Sequence, residues 1–171
     1  EQTVKVHGMG ASYGYSIKEI RRASIGRFNL NARRAKAARR SIEELADSIA
    51  WFGDEDYNIQ GLINYPGITM YTVPDPGSGT EWVNKTPVEI ITDMNCIVTS
   101  VITSNNGKER PDTMILPIEQ FEIINTTPIG DNVDKTILTF FMSNSRHIKM
   151  VEPVTQLAGA GAGGTDRMMV Y

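Results

Sequence analysis

One cysteine and two histidines are all that 171 residues supply of the commonest metal-ligating side chains, and that shortage removes several classes of function. A lone Cys96 cannot build an internal disulfide framework, and without cysteine pairs there is no zinc-finger spacing. His7 and His147 are too few and too distant in sequence to mark a metal site, and His147, at an expected strand start, reads as a structural histidine. No apolar run approaches the roughly 18–20 residues that span a bilayer. The opening EQTVKVHGMGASYGYS has no basic stretch followed by an apolar one, so it is not a secretory signal, and the glycosylation-type tripeptides at Asn84 and Asn125 read as chance. No G-x-S-x-G elbow, Walker loop, zincin helix or internal repeat is present. The 20 acidic residues include no marked carboxylate pair. Accordingly no catalytic, cofactor-binding or metal-ligating residue is assigned, and neither a membrane nor a small-molecule substrate is expected.

Charge of one sign is missing locally. Eight of the 17 basic residues (Arg21, Arg22, Arg27, Arg33, Arg34, Lys36, Arg39 and Arg40) fall between Arg21 and Arg40, where there is no acid. From Ser41 to Asp134, 16 acids stand against three bases, so the net charge of −3 conceals two opposed blocks. Such blocks suit contacts between neighbouring copies, or a basic face turned to nucleic acid; a solvated helix face is the plain alternative. Phe28 is the only aromatic in the basic block and no helix-turn-helix accompanies it. Non-specific contact with phosphate is therefore reasonable, and sequence reading is not.

The clearest element lies within that asymmetry. Ala35, Ala38, Ile42, Leu45, Ile49 and Phe52 recur at spacings of three and four, which predicts one apolar stripe packed on the rest of the chain. About 20 residues at 1.5 Å each give a rod of about 30 Å. Gly53 suits its C-terminal stop and Asn29 or Asn31 its cap. The charge order runs against the macrodipole, bases first and then Glu43, Glu44 and Asp47. Local helix stability did not select that order; contacts outside the helix are the expected reason.

Elsewhere the pattern is mixed. Residues 1–15 read as an extended arm. Ser16-x-x-Glu19 forms a capping box for a first helix that Gly26 ends or kinks. GLINYPGIT reads as a short strand interrupted at Pro66-Gly67, and VPDPGSGTEW as a turn-rich boundary. Pro87 opens a helix carrying Ile90, Ile91, Met94, Ile97, Val98 and Val101 through about Thr103. Thr113–Leu116 is a buried strand, Pro117 opens IEQFEII, residues 133–143 read as a helix, His147–Val151 and 167–171 as strands, and AGAGAGGT as a flexible loop. Short buried strands alternating with helices make an α/β or α+β layer.

Two motifs fail on context. Gly159–Gly164 contains G-x-G-x-x-G, but a dinucleotide loop must feed a helix N-terminus, and RMMVY reads as a strand. Asp54-x-Asp56-x-Asn58 starts like a calcium loop, yet Ile59 stands where glycine is required and Tyr65 where glutamate is. These acids read as solvating a helix-to-strand turn.

The order of elements resembles the major capsid proteins of tailed bacteriophages and prophages over about residues 13–171. The segments that carry it are ARRAKAARRSIEELADSIAWFGD, QGLINYPGIT, RPDTMILPIEQFEIINTTPIGDNVDKTILTFFMSN and HIKMVEPVTQLAGAGAGGTDRMMVY. The resemblance implies an α+β fold of the Hong Kong phage type, shared with encapsulins, with no enzymatic activity and no cofactor. Ala32–Phe52 would be the spine helix and Gly61–Tyr71 peripheral-domain strand. By residue, 1–15 would be an N-terminal arm or extended-loop remnant, 16–86 the spine helix and peripheral portion, and 87–171 the axial portion. The implied partners are other copies of the chain in pentamers and hexamers, with possible non-specific contact to packaged DNA; the implied location is the virion capsid, assembled in the bacterial host cytoplasm. An encapsulin-like cargo shell, a non-specific DNA-binding protein using Arg21–Arg40 and an enzyme of unrecognised type are the rivals. A start at Glu1 without methionine and an end in a strand-like segment suggest a truncated chain.

Overall fold

The structure is a computed structural model that describes residues 6–26, 29–75, 77, 79–130 and 133–171. The first five residues of the expected arm, Arg27 and Phe28 of the basic block, and Pro76 and Ser78 of the turn-rich loop lie outside the described residues. The chain forms two compact units, Glu1–Ile68 and Thr69–Tyr171.

In the first unit, α1 (Ile17–Gly26) begins at the expected capping box. The Glu19 amide donates to Ser16 Oγ at 3.3 Å and the Ser16 amide donates to Glu19 Oε2 at 3.0 Å, so two otherwise orphaned donors are satisfied. Helix α2 (Leu30–Phe52, 23 residues) is capped by Asn29, whose Oδ1 accepts from the Ala32 amide at 3.1 Å. It ends at Gly53, held at φ 76° with its amide on the Ile49 carbonyl. A two-residue hairpin follows, β1 (Gly53–Asp54) antiparallel to β2 (Ile59–Gln60), closed by a turn in which Asp54 Oδ1 accepts from the Asp56 amide. The acids at 54–56 do sit at a turn.

Two expectations fail here. Gly61–Tyr71 is not a strand. The Leu62 and Ile63 amides donate to the Ala50 and Trp51 carbonyls at 2.8 and 3.0 Å, satisfying the last turn of α2 instead of a ladder. Beyond them the chain turns twice, Asn64 amide to Gly61 carbonyl and Ile68 amide to Tyr65 carbonyl, and Pro66 has no amide to give. Gly61 is required at this crossing, because a Cβ there would lie 2.2 Å from the Gly53 nitrogen. The second failure is larger: no residue of α2 is buried. Ala35 is exposed, Leu45 and Phe52 are 50% and 45% exposed, and Ala38, Ile42 and Ile49 are only half-buried.

The second unit holds the core. A turn of 3₁₀ helix at Trp82–Asn84 leads into α3 (Pro87–Ser104), which Thr86 caps in a second capping box with Glu89. Strand β3 (Thr113–Leu116) is central, with β4 (Met150–Pro153) parallel on one side and β5 (Met169–Val170) antiparallel on the other. A parallel neighbour needs a crossover, and α4 (Ile118–Thr126) and α5 (Ile137–Asn144) supply it. Helix α5 starts four residues later than the sequence suggests. Thr136 Oγ1 caps it by accepting from the Thr139 amide, while Val133 donates into a turn at Gly130. Strand β4 likewise starts at Met150, opposite Thr113, and leaves His147 before it.

Trp82, Ile90, Met94, Val98, Met114, Leu116, Ile124, Ile137, Phe141 and Ile148 form the core. Each such side chain contributes roughly 1.5–3 kcal/mol by leaving water. Among the described residues no helix is long and apolar enough to cross a membrane.

Candidate functional site

Helix α2 and the segment before it carry the charge the sequence singled out, and the structure sorts those bases into two groups. Arg34 is engaged: its guanidinium donates to the Gly14 carbonyl and to Glu19, and lies 5.1 Å from the centre of the Tyr15 ring. Tyr15 in turn donates to Asn31 Oδ1 at 2.5 Å, so the residues before α1 are tied to the start of α2. Hydrogen bonds from the Ser16 backbone and hydroxyl, and then Arg34, hold the Glu19 carboxyl below its ordinary range. Arg39 and Arg40 pair with Glu43 and Glu44 four residues on, at 2.8 and 2.7 Å. The hydrogen bond and charge of Glu44 raise Arg40 further above its ordinary value. These exposed pairs stabilise little, and in this order, base before acid, least of all.

Arg21, Arg22, Arg33 and Lys36 are exposed and have no ion-pair partner among the described residues. One face of α2 therefore presents bases in its first half, the opposite face an apolar stripe that is only partly covered, and its C-terminal end runs into Asp54, Glu55 and Asp56.

No group of histidine, cysteine or carboxylate side chains among the described residues is arranged to hold a metal ion. His7 stacks edge-on against Tyr57, ring centres 5.1 Å apart. The glycine loop leads to strand β5 and not to a helix. It is closed at its base by the Gly161 amide on the Thr165 carbonyl at 2.6 Å and the Gly159 amide on Asp166 Oδ1 at 2.9 Å.

One constellation escaped sequence reading. In the second unit Lys85 Nζ, with a fully buried side chain, donates to Asp93 Oδ2 at 2.8 Å and to the Pro74 carbonyl at 3.1 Å, and Trp82 Nε1 donates to the same Asp93 oxygen at 3.1 Å. The available signal was an acid, Asp93, set beside Met94 in the apolar stripe of α3 between Ile90 and Ile97. Above it, an open groove of about 670 Å³ runs along α3, lined by Tyr71, Thr92, Asn95, Cys96, Thr99 and Thr103 among others. Partial burial, then the Cys96 thiol and Asp93, raise the Tyr71 hydroxyl above its usual range.

The sequence profile of major capsid proteins matches residues 1–171. No curated protein matches the sequence. Among solved structures, the capsid of Myoviridae phage XM1 shares the fold with a TM-score of 0.73 at 18% identity. That match covers 92% of this chain and 53% of the phage chain, so the present chain spans about half the length of the subunit it resembles. With mixed helix and sheet, one long exposed helix and a helix-flanked sheet, the chain belongs to the major capsid protein family.

Proposed function

We propose that the protein containing this chain is a non-catalytic structural subunit of a phage or prophage capsid, whose copies assemble in the host cytoplasm into the shell that encloses the DNA genome. The observation that carries the reading is α2: 23 residues of helix with an apolar stripe along one side and segregated charge along the other, and no buried residue. A stripe that leaves Leu45 and Phe52 about half exposed along one helix face suits a contact with a neighbour. In this reading residues 16–86 contribute the spine helix and peripheral portion, residues 87–171 the axial portion, and residues 1–15 an arm that lies on a neighbour. Rotation symmetry closes the rings of copies, and charge complementarity sets their register and rate of encounter. Negative-stain microscopy of the full-length protein should show closed particles or rings. Dispersed monomers at every concentration and salt tested would overturn the reading.

Arg21, Arg22, Arg33 and Lys36 support a second contact, with packaged DNA, because their charge is exposed and not neutralised within the described residues. Each phosphate contact steepens the fall of log affinity with log salt by about 0.9. Replacing Arg33 and Lys36 with glutamine should flatten that slope by about two contacts. Failure of the wild-type chain to retain duplex DNA at about 50 mM salt would exclude the contact.

A further inference from the structure

The buried Lys85–Asp93 pair is not part of the charged helix α2 on which the proposed function rests. The segment from Thr69 to Thr80 has no regular secondary structure among its described residues, so no ladder or helix fixes its course. It is held on α3 by side chains instead. Tyr71 lines the same groove on α3 as Cys96, Thr92 and Thr99. The Pro74 carbonyl accepts from Lys85 Nζ at 3.1 Å. Asp75 Oδ1 accepts from the amides of Gly77 and Gly79, both at 2.8 Å, and folds the segment back on itself just after Pro74.

Lys85 is the centre of this arrangement. Its side chain is fully buried and that of Asp93 is 7% exposed. A buried ammonium is tolerated only when it is paired and hydrogen-bonded, and here the pairing is asymmetric. Asp93 neutralises it, Trp82 Nε1 fixes the carboxylate by donating to the same oxygen, and the second hydrogen bond of the ammonium goes to a backbone carbonyl of the connecting segment. An apolar side chain could fill the same space at no cost in stability, since replacing a buried ion pair by packed apolar groups is often neutral or stabilising. An apolar side chain could not hold the Pro74 carbonyl. We propose that Lys85 and Asp93 are a latch that fixes the path of residues 69–75 on α3, with Lys85 the positioning residue and Asp93 its counter-charge.

The latch predicts that local order in the segment and stability of the core can be separated. In the double variant Lys85→Met with Asp93→Asn, the introduced side-chain amide still offers Trp82 an acceptor oxygen and no uncompensated charge is buried. Backbone nitrogen-15 relaxation of the full chain should then show the order parameters of residues 71–73 and 75 falling from about 0.85 to about 0.6 or below, while those of β3 and the middle of α3 stay unchanged. Asp93→Asn alone leaves the Lys85 ammonium buried without its counter-charge and should lower the melting temperature by several degrees. An unchanged melting temperature would remove Asp93 from that role. Unchanged order parameters at 71–73 and 75 in the double variant would overturn the latch, and so would a fall of equal size throughout α3 and the sheet. If the double variant does not fold, relaxation of the unaltered chain decides. The latch requires residues 71–73 and 75 to be about as ordered as the first turns of α3; order parameters there below about 0.6 would contradict it.

Discussion

At the scale of single residues, the chain relies on carboxylates that accept backbone hydrogen bonds. Glu19, Asp75 and Glu89 are all held below their ordinary values, each first by backbone amides: that of Ser16, those of Gly77 and Gly79, and that of Thr86. A carboxyl depressed in the folded state contributes stability above its unfolded value, near pH 4, and loses it as pH falls through the depressed value. The helix starts of α1 and α3 and the turn after Pro74 should therefore loosen together in acid, below about pH 4. Carboxyl titration by NMR should give midpoints for Glu19 and Glu89 below the ordinary glutamate value and for Asp75 below the ordinary aspartate value; midpoints at those ordinary values would contradict the capping account. Both the Ser16–Glu19 box and Pro87 at a helix start were legible in sequence, because local hydrogen bonding and fixed φ act over four residues or fewer. Lys85 with Asp93 was not, since Lys85 lies before α3 and pairs across eight residues with a position inside it, which leaves no period to detect.

At the scale of elements, burial divides the helices into two kinds. Met94 in α3 is fully buried, whereas Leu45 in α2 is half exposed, although both occupy apolar stripes of the same period. Truncating Met94 to alanine should cost about 2–5 kcal/mol through lost contacts and a cavity. Leu45→Ser should leave the melting temperature of the isolated chain almost unchanged and reduce self-association in sedimentation velocity. A large loss of stability from Leu45→Ser would show that the stripe is covered within the chain. Periodicity located the helix, Gly53 marked its stop, and of the two cap candidates, Asn29 and Asn31, the structure uses Asn29. It could not show what the stripe packs against, because period reports an apolar face and not its partner. The expected strand over Gly61–Tyr71 failed for a related reason. Its first amides are spent on the carbonyls of α2, a non-local demand invisible in the run GLINYPGIT. Where the run is short and fully apolar, as in Met114–Leu116, strand and burial were both legible.

At the scale of the whole molecule, two compact units of different character share one chain. The second has a conventional core beneath a sheet of order β4-β3-β5. The first has a long helix with little buried beneath it. Composition excluded metal frameworks and membrane spans, and the order of elements suggested the family that the profile match over residues 1–171 establishes. What the sequence could not supply was the location of the contact surface, because that depends on which faces the fold leaves uncovered. The central claim is that these uncovered faces are covered by other copies in a shell. Its most direct test is cryo-electron microscopy of particles formed by the full-length protein. The account predicts a symmetric shell in which every subunit shows α2 and the three-stranded sheet, with a neighbouring copy in contact with the first unit. A symmetric shell in which α2 meets no neighbour and no DNA, or a protein that remains monomeric under all conditions, would contradict it.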